Sequence, residues 1–277
     1  MRTLLFPAIA LGVGAVSVLA EDPRRIDVNN LFPSTGAYVI WVDPNNAGVP
    51  EGILVLGTGT LIHERVFLTC GHCTRASEPG IPPFIRVFVT FNLHVMDDPS
   101  AWIPVVAQSW HPSTLPCGPD NACHWPDEPF PRPGLSDVGL MFLAEPVNFV
   151  KPTKLPEPGM LERGRAEKQD QFLVGYLFPE GIRRYRVVSP AEVFDDRSAQ
   201  GAPGEVCPSV AGFASGSMRF LGPLGNSGGK RRTVITSSSG FKGNDCTTGR
   251  SGLARIDNED VQSWIAQQIQ HFLASQK

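Results

Sequence analysis

After Glu21 the chain reads as short apolar runs separated by turn residues. Ala37-Tyr38-Val39-Ile40-Trp41-Val42, Ile53-Leu54-Val55-Leu56, Arg65-Val66-Phe67-Leu68-Thr69, Ile85-Arg86-Val87-Phe88-Val89-Thr90-Phe91 and Ile103-Pro104-Val105-Val106-Ala107 are rich in β-branched and aromatic residues. Such residues suit a pleated, half-buried surface, so these runs predict strands. Val138-Gly139-Leu140-Met141-Phe142-Leu143, Phe172-Leu173-Val174-Gly175-Tyr176, Arg186-Val187-Val188 and Thr233-Val234-Ile235-Thr236 continue the series. No helical pattern of about 10–15 residues lies between them, as a βαβ alternation would need, and the expected class is all-β with antiparallel pairing. The end of the chain differs. Asp257-Asn258-Glu259-Asp260 offers capping oxygens and acidic first-turn residues, and Val261, Trp264, Ile265, Ile269, Phe272 and Leu273 follow near helical spacing. One amphipathic C-terminal helix, packing its apolar stripe on the β core, is expected.

Composition narrows the function classes. The 277 residues carry 24 Lys+Arg against 27 Asp+Glu, a net charge of −3, and no basic run longer than Lys230-Arg231-Arg232. A nucleic-acid binder would show a basic stripe, so that class is set aside. Gly 28 and Pro 26 together make 54 residues, a turn-rich but not a low-complexity chain. Seven of the prolines fall in the stretch 111–134, which reads as a surface insert, as does the Asp-, Ser-, Ala- and Gly-rich stretch 195–206.

The N-terminus predicts export. Arg2, the apolar stretch Leu4 to Leu19 and the small-residue pattern Val18-Leu19-Ala20 match a signal peptide over residues 1–20, cleaved before Glu21. A membrane anchor is the competing reading. The stretch is shorter than the ~20 apolar residues of a spanning helix, and Pro7, Gly12 and Gly14 interrupt it. The expected product is secreted, with no membrane association after signal removal. In an oxidising compartment the even set Cys70, Cys73, Cys117, Cys123, Cys207 and Cys246 reads as disulfides, although spacing does not fix their connectivity.

Three segments carry candidate chemistry. Leu68-Thr69-Cys70-Gly71-His72-Cys73 places a histidine at the end of an apolar strand. Ser136-Asp137-Val138-Gly139-Leu140 places a carboxylate just before another, and Gly225-Asn226-Ser227-Gly228-Gly229 places a serine in a glycine-flanked turn. A serine hydroxyl is a weak nucleophile near neutrality unless a base takes its proton, and histidine titrates close enough to neutral to take it and return it. A buried carboxylate fixes the imidazole tautomer. Backbone N–H groups in a glycine-flanked turn can approach a developing oxyanion, each worth about 3–4 kcal/mol in a water-poor site. Together such a set hydrolyses acyl bonds.

In these residues, taken in the order His, Asp, Ser, the chain resembles the chymotrypsin/trypsin-like serine proteases. Gly57-Thr58-Gly59-Thr60-Leu61-Ile62 resembles the strand before the histidine segment, Ser237-Ser238-Ser239-Gly240 the substrate-aligning strand, and Ala254-Arg255-Ile256 with Trp264-Ile265 the approach to the terminal helix. The resemblance implies two six-stranded antiparallel β-barrels and a C-terminal α-helix in one domain, residues 37–277, after an N-terminal extension or short pro-segment at 21–36. It implies His72 as general base, Asp137 as its orienting partner, Ser227 as nucleophile, and the N–H groups of Gly225 and Ser227 as oxyanion hole. Leu221 would lie at the base of the primary specificity pocket, and Ser238, Ser239 and Gly240 would pair an extended peptide. A leucine there cannot neutralise Lys or Arg, so no preference for cleavage after basic residues is expected. The implied protein is a monomer that acts on proteins or peptides and needs neither cofactor nor metal.

Departures from the family pattern carry meaning too. Asn226 stands where an aspartate usually pairs with the new N-terminal amine after activation, so that ion pair cannot form here. Arg24-Arg25 before Ile26 offers a processing site, yet Ile26-Asp27-Val28-Asn29 matches the usual start poorly. Lys230 replaces a common proline. The strand Gly57 to Ile62 lacks the cysteine that usually pairs with the one after the histidine, which leaves Cys73 without an assigned partner and Cys70 supernumerary. Two other functions compete. One is a catalytically impaired binding protein on the same scaffold. The other is a thiol–disulfide oxidoreductase, because Cys70-Gly71-His72-Cys73 has the C-x-x-C spacing, although no βαβ context surrounds it. His63, His94, His111 and His124 read as loop residues and not as metal ligands.

Overall fold

A computed structural model describes residues 25–42, 52–75, 85–114, 136–177, 180–193, 197–200, 217–221, 233–242 and 250–276. In chain order the strands are β1 (Arg25–Ile26), β2 (Thr35–Val42), β3 (Gly52–His63), β4 (Val66–Thr69), β5 (Ile85–Thr90), β6 (Ile103–Trp110), β7 (Gly139–Leu143), β8 (Gln171–Leu177), β9 (Ile182–Val188), β10 (Glu192–Val193), β11 (Ser198–Gln200), β12 (Met218–Leu221), β13 (Thr233–Lys242) and β14 (Arg250–Arg255). Among the described residues three α-helices accompany them: α1 (Gly71–Arg75), α2 (Met160–Ala166) and α3 (Glu259–Ser275). The β-rich class with a C-terminal helix is thus the one that the apolar pattern predicts.

The first half closes on itself as a six-stranded antiparallel barrel in the order β2-β3-β4-β7-β6-β5. The second half is an eight-stranded antiparallel sheet, β1-β9-β8-β12-β13-β14-β11-β10, which does not close among the described residues. Among the described residues one barrel of the two expected is therefore closed. The two-residue β1 forms one edge of the sheet by pairing with β9, and the two-residue β10 forms the other by pairing with β11.

Burial explains why β4 and β7 read as unbroken apolar runs. Both are buried along their whole length. Alternate residues serve two different cores, as the twofold alternation of a strand requires. Phe67, Met141 and Leu143 point into the barrel with Tyr38, Leu61, Val89 and Val147. Val66, Leu68, Leu140 and Phe142 point the other way, into a larger core shared with Phe172, Val174, Met218 and Phe220 of the second sheet and with Val261, Trp264, Ile265 and Phe272 of α3. The largest core thus lies between the two halves and joins them.

Helix α3 follows its sequence signals closely. Asn258 Oδ1 accepts from the backbone N–H groups of Asp260 and Val261, and Glu259 and Asp260 occupy the first turn, where negative charge suits the helix dipole. At its far end Phe272 stacks on Phe142 with ring centroids 4.6 Å apart. Among the described residues no helix is long and apolar enough to cross a membrane.

Candidate active site

Register brings the first two candidate residues together. β4 pairs antiparallel with β7, and the last residue of β4, Thr69, lies opposite the first of β7, Gly139. The chain therefore leaves β4 into α1, which carries His72, at the same end of the barrel where it enters β7 from Asp137. Asp137 Oδ2 lies 2.7 Å from His72 Nδ1, and Oδ1 accepts the His72 backbone N–H at 2.7 Å. One carboxylate grips both the ring and the main chain of the same residue, which fixes the ring's orientation as well as its partner. The Asp137 side chain is 6% exposed and that of His72 19%, so the pair is sheltered while the ring keeps a route to solvent.

Small residues make this approach possible. A Cβ on Gly71 would overlap the Thr114 side chain and press on Asp137 Oδ1 at 3.0 Å, and one on Gly139 would meet Thr74 at 2.6 Å. Both threonines are fixed: Thr74 Oγ1 donates to the Gly71 carbonyl and Thr114 Oγ1 to the Ser136 carbonyl. Gly71→Ala is accordingly expected to cost about 1–3 kcal/mol, the usual penalty of overpacking. Urea unfolding against the parent chain measures it, and a change below about 0.5 kcal/mol would contradict the close packing.

The electrostatics of the pair have opposing parts. Burial pushes the His72 imidazole down, but the charge of Asp137 and then its hydrogen bond outweigh burial and leave His72 above its ordinary value. Tyr38, inside the barrel, has its phenol held well above the usual value by burial first and then by the Asp137 charge.

The other ring nitrogen has unusual neighbours. Cys70 and Cys73 form a disulfide with Cα atoms 5.2 Å apart, and His72 Nε2 lies 3.6 Å from each sulfur. These cysteines are each other's partner, which sequence reading left unassigned. The C-x-x-C spacing was the available signal. Both are buried, at 0% and 3% exposure.

The remaining candidates are placed unevenly. Ser227 and Gly225 lie outside the described residues, as do Asn226, Lys230, residues 1–20 and the other four cysteines. Leu221 ends β12 and is buried with Leu161, Ala191, Ala199 and Leu253, against Gly164 of α2. Ser238, Ser239 and Gly240 lie in β13. On one side β13 pairs with β14, Ser238 opposite Leu253 and Gly240 opposite Gly252, with a register shift between them. On the other side the described pairing of β13 with β12 runs from Thr233 to Ser237.

One histidine set aside as a loop residue proves structural. His111 is 3% exposed; its Nδ1 lies 2.7 Å from Ser113 Oγ, its Nε2 lies 3.4 Å from Asp260 of α3, and its ring meets Trp264 edge-on. Burial holds its pKa below the ordinary value, and the nearby Arg197 adds to that while Asp260 opposes it.

Compared with known proteins, the chain matches no family model and no curated protein.

Proposed function

We propose that the chain is a secreted serine endopeptidase of chymotrypsin-like, two-barrel design, with His72, Asp137 and Ser227 as its triad. The observation that carries this reading is the double grip of Asp137 on the ring and backbone of His72 at one rim of a closed antiparallel barrel. With Nδ1–H donated to Asp137, the lone pair at Nε2 is the free base. Ser227 Oγ attacks the peptide carbonyl as its proton passes to Nε2, and the imidazolium, stabilised by the carboxylate, returns that proton to the departing amine. Water then enters, gives its proton to the same nitrogen, and releases the acyl group. The N–H groups of Gly225 and Ser227 receive the oxyanion. A peptide strand lies along Ser238 to Gly240 of β13 and pairs with it through main-chain groups by β-augmentation.

Thiol–disulfide exchange is less well supported. A thioredoxin-like active site sits in a βαβ setting, whereas Cys70 follows β4 of a closed antiparallel barrel.

Active-site labelling with a fluorophosphonate tests the proposal. The parent chain is expected to take up one label on Ser227, and Ser227→Ala to take up none. A folded parent chain that stays unlabelled, with a circular dichroism spectrum matching that of the variant, would favour the impaired binding protein instead.

A further inference from the structure

We propose that Cys70, His72 and Cys73, with the disulfide reduced, form a binding site for a thiophilic divalent cation of the zinc type. Its occupation would withdraw the Nε2 lone pair from any hydrolytic role. The three donor atoms lie within 4.8 Å of one another. A tetrahedral zinc centre, with Zn–S about 2.3 Å and Zn–N about 2.05 Å, holds its nitrogen and each sulfur about 3.6 Å apart. That is the separation of Nε2 from both sulfurs, 3.6 Å in each case. Two of the three ligand–ligand edges are thus already in place.

The third edge requires reduction. Two zinc-bound thiolates stand about 3.8 Å apart, which no intact disulfide allows. A trialkylphosphine supplies the electrons. It is oxidised to the phosphine oxide by the oxygen of one water, whose two protons, with two electrons from phosphorus, convert the S–S bond to two thiols. The cation then displaces both thiol protons to solvent, and side-chain rotation on a Cα separation of 5.2 Å supplies the widening.

The surroundings fit the same assignment. A metal-bound histidine almost always donates its other ring N–H to a carboxylate or carbonyl, and Asp137 stands 2.7 Å from Nδ1 in that position. Two thiolates and an imidazole select zinc over magnesium or calcium, which want oxygen ligands. Three protein ligands leave a fourth position for water. The disulfide and the metal therefore compete for the same two sulfurs, and the inhibitory consequence, though not the site itself, rests on the serine protease reading.

Cobalt(II) serves as the spectroscopic probe. The chain is reduced anaerobically with a water-soluble trialkylphosphine, its free thiols are counted by alkylation and mass, and cobalt is titrated in. We expect sulfur-to-cobalt charge-transfer absorption saturating at one cobalt more per chain than in Cys70→Ser/Cys73→Ser, with displacement of that cobalt by zinc. Cys73→Ser alone should show a weaker band, and His72→Gln should keep the band with at least about tenfold weaker binding. Equal uptake with and without Cys70 and Cys73, unchanged affinity in His72→Gln, or a pair that stays oxidised in excess phosphine would each overturn the site. Fluorophosphonate labelling of the oxidised, metal-free chain separates the two readings. If labelling there fails while cobalt binds, the protease reading falls and the metal site stands. If labelling there succeeds and zinc leaves it unchanged in the reduced chain, the inhibitory consequence falls.

Discussion

Asp137→Asn is expected to lower kcat/KM on peptide or ester substrates by about 10⁴-fold with little change in fold; the size of the loss is that of the chymotrypsin-like mechanism. The geometry here says how it would arise. Oδ1 of Asp137 accepts the His72 backbone N–H, so an amide at that position keeps its oxygen there and turns its NH₂ group toward Nδ1. Nδ1 must then accept, the ring proton moves to Nε2, and the lone pair that should receive the serine proton is lost. A pH profile distinguishes this from simple damage. In the parent chain the base must be neutral, so activity rises with pH through a His72 pKa that Asp137 holds above its ordinary value. Without the carboxylate's charge, burial acts unopposed, and the acid limb of the residual activity should move to lower pH. Stability has the opposite sense. Because the folded pKa is raised, the stabilisation of protonated His72 is complete below its unfolded value near 6.5 and is lost as pH rises through the raised folded value. The parent's stability advantage over Asp137→Asn should shrink over that window. A variant with a loss below about tenfold and an unmoved acid limb would refute the assigned role.

Asp27→Ala carries the largest expected effect on stability, about 3–5 kcal/mol, out of a total that is typically about 5–15 kcal/mol. Arg183 of β9 is 2% exposed, and its Nε donates to Asp27 Oδ2 at 3.0 Å. Its other nitrogens donate to Asn30 Oδ1 and to the carbonyls of Thr35 and Phe91. Asp27 also accepts the backbone N–H groups of Leu31 and Phe32. Removing the carboxylate strands a buried guanidinium charge and two backbone donors at once. Guanidinium chloride unfolding of Asp27→Ala should show a lower midpoint at constant slope. Asp27→Leu/Arg183→Met should recover much of the loss, since replacing both partners leaves no unpaired charge. A single-variant cost below about 1 kcal/mol would mean that the guanidinium finds other compensation.

The same ion pair marks the limit of what the sequence discloses. Arg183, Arg219 and Arg255 are all nearly fully buried. Arg219 donates to Gln171 Oε1 and the Ser189 carbonyl, and Arg255 donates to Asp257 and Glu162. In a chain of letters such arginines look like surface residues, because charged side chains are seldom buried unless paired and pairing is not local. They also disguise their elements. β12 is Met218-Arg219-Phe220-Leu221 and β14 begins Arg250-Ser251-Gly252, neither of which reads as an apolar run. Helix α2 starts from Gly159 in the left-handed region and has Gly164 inside it, against Leu221, so propensity argues against a helix that packing allows. β4, β7 and α3 were legible because their burial is continuous or strictly periodic. His72 and Asp137 were legible for a related reason, since each adjoins the end of a fully buried strand. That the two strands are neighbours, and that Cys70 and Cys73 bond to each other, is shown only by the structure.

The segments on either side of residues 115–135 are held side by side at the barrel. His111 donates its backbone N–H to the Val138 carbonyl, Thr114 Oγ1 donates to the Ser136 carbonyl, and the Ser136 N–H reaches Ser113 Oγ. His111 ties the outgoing limb to α3 as well. The two ends, His111 to Thr114 and Ser136 to Val138, are thus stitched to each other. The entropy of closing a flexible loop grows only slowly, by about 0.6 kcal/mol for each doubling of length. Related chains could therefore lengthen, shorten or exchange the intervening segment while these bonds go on holding the backbone on both sides of Asp137. The fold offers evolution, or an engineer, two fixed anchor points between which the length of the chain can be varied.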